Sequence, residues 1–130
     1  MVDVIKIDPK EASGVVLAYL GDAVWELYVR SYYINKGYNL QKLNQLVKSK
    51  VNAKEQSKFL NKIKEELTQE YLGIVNRAKN GNIKTFPKSC SVMEYKEATA
   101  FEALIATLYI RGERGKISEI VERCLEEEKK

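Results

Sequence analysis

Two carboxylates stand inside otherwise apolar stretches, Asp22 in Tyr19-Leu20-Gly21-Asp22-Ala23-Val24-Trp25 and Glu102 in Ala100-Phe101-Glu102-Ala103-Leu104-Ile105. A buried carboxylate costs several kcal/mol unless it is paired with a cation or bound to a metal. No basic residue stands at helical spacing near either one until Arg30 and Lys96. Glu26 lies one turn beyond Asp22, so the two share a helix face and could point at the same spot. If the two helices cross there, Glu102 joins them. Oxygen donors without nitrogen or sulfur suit Mg²⁺ or Mn²⁺, which take few protein carboxylates and keep several waters. Spacing alone leaves two arrangements open. One is that metal site; in the other, Asp22 and Glu26 lie on a polar face and Glu102 pairs with a lysine or arginine from elsewhere in the fold.

The composition narrows the chemistry further. With no histidine, the chain has no Ser-His-Asp or Cys-His machinery and no imidazole acid–base pair. Cys90 and Cys124 form no CxxC pair, so structural zinc is excluded. Net charge is only +4, but residues 36–88 carry twelve Lys/Arg against four Glu, a local balance of +8 that leaves −4 for the rest. A basic middle between acidic ends fits a surface that faces a polyanion, as well as lysines spread over solvated helix faces. A carboxylate metal site beside such a surface suggests phosphodiester hydrolysis.

The elements that must position these acids read as helices. Asp8-Pro9-Lys10-Glu11 offers a cap and a proline at the first helical position, which predicts a helix start there, with Gly14 as a brief break. Over residues 15–36, Val16, Tyr19, Leu20, Val24, Leu27 and Tyr28 recur at spacings of three and four before Gly37. Asn39 and Asn52 cap two short amphipathic helices, and Thr68 opens another that ends near Asn80-Gly81. A basic loop over 80–91 follows, then a second long apolar helix over 92–111, stopped by Gly112, and a charged helix over 116–127. No strand pattern appears. The expectation is an all-α fold in one domain, residues 1–130, with Trp25, Tyr19, Tyr28, Tyr32 and Tyr33 used in packing. The apolar runs are too short to span a membrane and the N-terminus lacks a signal-peptide layout, so a cytoplasmic location is expected.

Leu17-Ala18-Tyr19-Leu20-Gly21-Asp22-Ala23-Val24 resembles the signature helix of the ribonuclease III family, most closely in its compact bacterial branch, Mini-ribonuclease III. The same order of elements continues with Glu26, Val51-Asn52-Ala53-Lys54 and Gln56, Ala78-Lys79, Pro87-Lys88, and Tyr95-Lys96 leading into Thr99-Ala100-Phe101-Glu102-Ala103-Leu104. The resemblance spans about residues 12–111, and its ordered set of motifs is more specific than any single piece. It implies a helical endonuclease domain without the double-stranded RNA-binding domain of larger relatives. Asp22 falls on the family's catalytic, metal-binding aspartate and Glu102 on its catalytic glutamate. Larger relatives carry further acids where this chain has Ala18 and Thr99, so the implied metal site is sparser.

The resemblance further implies Mg²⁺, with Mn²⁺ as a substitute, held by Asp22 and Glu102, with Glu26 supporting the ligand shell. The implied substrate is double-stranded RNA, the precursor of large-subunit ribosomal RNA, cut by a homodimer to leave 5′-phosphate and 3′-hydroxyl ends. A large-subunit ribosomal protein presenting that substrate belongs to the same expectation. Candidate RNA contacts are Lys50, Lys54, Arg77, Lys79, Lys84 and Lys88. Two other classes compete: a catalytically inactive domain that binds RNA or the ribosome, against which both acids argue, and a helical dimeric adapter with no metal-dependent effect on nucleic acid.

Overall fold

In a computed structural model that describes residues 5–81, 85 and 87–126, six α-helices and no strand occur among the described residues. They are α1 (Gly14–Ile34), α2 (Leu40–Lys50), α3 (Ala53–Ile63), α4 (Gln69–Lys79), α5 (Val92–Ile110) and α6 (Arg114–Leu125), with a 3₁₀ turn at Lys64–Glu66. Each start has a local cause. Ser13, Asn39, Asn52 and Thr68 accept from the third backbone N–H of their helices, and Ser91 with Glu94 forms a reciprocal capping box. Gly37 and Gly112, with φ of 85° and 75°, turn the chain out of α1 and α5.

The first expected helix start is different. Asp8 does cap, its carboxylate accepting from the Lys10 N–H, but only an isolated turn follows. The helix begins after Ser13, which accepts from Val16 N–H at 3.1 Å. Gly14 is the first residue of α1, and it is there for close contact: a Cβ would come within 2.5 Å of the Ala78 Cα.

α5 is the axis of the fold, with α1, α3, α4 and α6 packed around it. Its buried residues cover nearly its whole circumference, and Ala100, Ala103 and Ala106 keep it thin enough for neighbours to approach on several sides. α1 buries Leu17, Ala18, Gly21, Val24, Trp25, Val29 and Tyr33. That is not the stripe expected from its apolar spacing: Val16 and Leu27 are exposed and Tyr19 is 85% exposed. Both faces of α1 are apolar, so the period alone does not select the inward one.

The tightest point of the fold is the α1–α5 crossing. A Cβ on Gly21 would lie 1.8 Å from the Glu102 carbonyl oxygen, so backbone rests on backbone there. One turn along, the fully buried Trp25 meets Phe101 edge-on at 4.9 Å and Phe59 at 5.7 Å, joining α1, α3 and α5. Its indole N–H donates to the Lys50 carbonyl at 3.1 Å, which ties the end of α2 to the same knot. Gly21→Ala is therefore expected to destabilise the protein by about 3 kcal/mol or more, the upper range for overpacking a core; urea unfolding measures it.

Candidate active site

Asp22 and Glu102 face each other in a cleft of about 490 Å³. Val15, Ala18 and Tyr19 on α1, Gln56 on α3, Ala78 on α4 and Thr99 on α5 help to form its walls, and Thr85 and Pro87 lie at its edge. The Gly21 crossing sets the spacing of the two acids, and the Trp25–Phe101–Phe59 knot ties together the helices that carry them, Trp25 one turn beyond Asp22 and Phe101 next to Glu102. Asp22 is exposed at the cleft surface, while Glu102 is half-buried.

The electrostatics of the pair are unusual. Burial, then the nearby charge of Asp22, then a hydrogen bond with Asp22 push the Glu102 carboxyl from the ordinary 4.5 up to about 9; only the Gln56 amide acts in the opposite direction. Among the described residues no lysine or arginine is one of the groups that set it, so Glu102 does not pair there with a distant cation. Instead burial, with the Asp22 carboxylate beside it, favours the protonated form of Glu102. Such a pair has the donor set and the need for charge that a hard divalent cation satisfies, and the residues fit Mg²⁺ on that ground.

Glu26 does not join them. Its carboxylate accepts from Arg30 at 2.5 Å and lines a separate groove with Leu40, Leu43 and Val47 between α1 and α2. Among the described residues, no three acids or cysteines gather into a metal-binding group. Ala18 and Thr99, where larger relatives carry acids, line the cleft but are nearly buried, and the Thr99 hydroxyl donates back to the Tyr95 carbonyl at 2.9 Å.

The basic residues divide. Lys54 and Lys88 are exposed beside the cleft-lining Ala53 and Pro87. Arg77 donates to the Pro9 and Ala12 carbonyls at 2.7 and 3.1 Å and pins the N-terminal segment to α4. Lys79 pairs with Glu97 at 3.7 Å. Lys50 lines a different groove, with Tyr32, Tyr33 and Tyr38. Lys84 lies outside the described residues.

Of two polar residues near the cleft, Glu97 escaped the sequence reading and Gln56 entered it only as part of a motif, without a role. Glu97 accepts from Ser57 at 2.5 Å and Asn61 at 3.2 Å; burial pushes its pKa up, but those bonds and the charges of Lys79 and Lys64 outweigh it, and the net shift is downward. Its partners are on other helices, beyond the reach of local spacing. Gln56 is 2% exposed, and its position was legible: it stands at i against Phe59, Leu60 and Ile63, on the buried face of α3.

Residues 15–113 match the Ribonuclease III domain family. The chain is 55% identical over 126 residues to a Mini-ribonuclease 3-like protein of Ilyobacter polytropus, covering 97% of this chain and 99% of that one. It is 40% identical over 120 residues to Mini-ribonuclease 3 of Brevibacillus brevis, covering 90% and 88% of the two chains. A crystal structure of a protein from Fusobacterium nucleatum, 50% identical, superposes with a TM-score of 0.83 over 90% of this chain and 94% of that one. The chain belongs to the ribonuclease III family, within its compact Mini-ribonuclease 3 group, and its class is that of a ribonuclease III-type endoribonuclease.

The raised Glu102 pKa has a consequence for stability. Between about pH 4.5 and 9 the folded protein retains a proton on Glu102 that the unfolded chain gives up. Stability in the absence of metal therefore falls as pH rises through that window. Glu102→Gln is expected to flatten this fall and to raise metal-free stability at neutral pH; urea midpoints of the two proteins from pH 5 to 9 measure it.

Proposed function

We propose that this protein is a Mg²⁺-dependent endoribonuclease of double-stranded RNA, with Mn²⁺ as a substitute, and that it matures the precursor of large-subunit ribosomal RNA in the cytoplasm. The observation that supports this most is the Asp22–Glu102 pair: two carboxylates in one cleft, without a cation to balance them among the described residues, at the positions that the resemblance assigns to the family's catalytic acids. Bound there, Mg²⁺ would supply a Lewis acid that makes water a better nucleophile and offsets charge on the leaving oxygen. Asp22 and Glu102 would hold it, and the rigid crossing at Gly21 keeps their spacing constant. In-line attack by water with departure of the 3′ oxygen leaves a 5′-phosphate and a 3′-hydroxyl.

The RNA is held by shape. A-form RNA offers phosphates and 2′-hydroxyls across its minor groove, and exposed lysines at the cleft rim suit both. Lys54 and Lys88 are the contacts this geometry favours. Arg77 and Lys79 serve first to hold α4 in place.

A homodimer accounts for the outer face of α1. Val16, Tyr19, Ala23, Leu27 and Ile34 lie on that face, all exposed, and a helix apolar on both sides covers the second with a partner. Tyr19 belongs both to this stripe and to the cleft wall, which links the dimer face to the site. A second copy of the chain would bring two clefts to one duplex, one for each strand. A large-subunit ribosomal protein presenting the RNA belongs to the same reading.

Three outcomes are expected. Wild-type protein with structured ribosomal precursor RNA and Mg²⁺ gives discrete cuts bearing 5′-phosphates, and Asp22→Asn gives none while still binding the RNA; binding without cutting by the wild type would instead indicate an inactive RNA-binding domain. Lys54→Ala and Lys88→Ala each weaken duplex binding and lower the slope of log affinity against log salt by about 1. Leu27→Lys sediments as a monomer where the wild type sediments as a dimer.

A further inference from the structure

Gln56 stands in the cleft wall on the first turn of α3, 2% exposed, and its amide Nε2 is a buried nitrogen that makes no hydrogen bond in the structure. An unsatisfied buried donor costs about 1–3 kcal/mol, so an isosteric apolar residue would serve packing better at this position. The neighbours on its face, Phe59, Leu60 and Ile63, are all apolar and buried, and nothing in the core calls for an amide there. What the amide does face is Glu102, whose charged form it favours. The backbone of α3 is fixed at this point by the Asn52 cap, which accepts from Glu55 N–H at 3.0 Å, and by Phe59 against Trp25. Rigid elements thus hold the amide beside that carboxylate, with its Nε2 lacking a well-formed hydrogen bond.

We infer that Gln56 is a positioning residue of the cation site, its Nε2 donating to the Glu102 carboxylate when the cation is bound and so fixing which oxygen Glu102 presents. This rests on the reading of Asp22 and Glu102 as the cation's holders. Partners of that kind fix the orientation of a metal-bound carboxylate, and their loss costs metal affinity while leaving the ligands in place. A merely structural glutamine would behave otherwise, since its replacement would change stability without touching affinity.

The test is Mn²⁺ binding, read by the loss of free-ion electron paramagnetic resonance signal, in wild-type protein and in Gln56→Met, which keeps the length of the side chain without its donor. Gln56→Met is expected to bind Mn²⁺ about tenfold or more weakly, with a metal-free melting temperature equal to or above that of the wild type. A second readout uses the wild type alone: saturating Mg²⁺ moves the side-chain amide resonance of Gln56, and Glu102→Gln abolishes that movement. Equal Mn²⁺ affinity in folded Gln56→Met, or a Gln56 amide resonance indifferent to Mg²⁺ in a wild type that binds the ion, overturns the inference and leaves the cation site intact. A wild type that binds no Mn²⁺ overturns both.

Discussion

Where α1 crosses α5, one backbone lies against the other, and only the hydrogen of Gly21 leaves room for the Glu102 carbonyl. That contact determines how far apart two carboxylates can be. Asp22 follows Gly21 directly and Glu102 is the residue it touches, so the crossing and the pair are the same place in the fold. Around it the structure is built for stiffness. Trp25, Phe101 and Phe59 lock the three helices that carry Asp22, Glu102 and Gln56, and the alanines of α5 let the neighbouring helices pack close. A site assembled on helices held this way keeps its geometry without a ligand.

The same closeness makes the pair electrostatically uncomfortable. Burial first, and then the neighbouring Asp22 carboxylate, make Glu102 hold its proton far above the ordinary range. Gln56 adds a second local deficit, a buried donor without an acceptor. Elsewhere the protein treats acids differently. Glu97 accepts from Ser57 and Asn61 and pairs with Lys79, Glu70 pairs with Arg111 at 2.7 Å, and Glu26 with Arg30. Satisfying these acids while leaving Glu102 protonated beside Asp22 is the pattern expected where a ligand supplies the missing charge.

Much of this was legible in the sequence. The caps at Asn39, Asn52 and Thr68 fall where side-chain chemistry put them, and the stops at Gly37 and Gly112 follow from a backbone that only glycine adopts readily. Asp22 and Glu102 stood out because each interrupts an apolar run, and the fold brings them together. Other features were hidden for physical reasons. α1 carries apolar residues on two faces, so spacing could not tell its core face from the outer face on which Val16, Tyr19 and Leu27 lie. Glu26 shares a face with Asp22 in spacing, but Arg30 one turn further competes for it and wins. Arg77 and Lys79 look like free cations in sequence; their acceptors, at Pro9, Ala12 and Glu97, are distant in the chain.

The central claim is that the α1–α5 crossing is a cation site with two protein carboxylates. Diffraction from crystals soaked in Mn²⁺, collected at the manganese absorption edge, tests it most directly. The account predicts an anomalous peak between the Asp22 and Glu102 carboxylates that disappears in Asp22→Asn crystals. A peak seated elsewhere, at the Glu26 groove for example, or an empty crossing at saturating Mn²⁺, would contradict it.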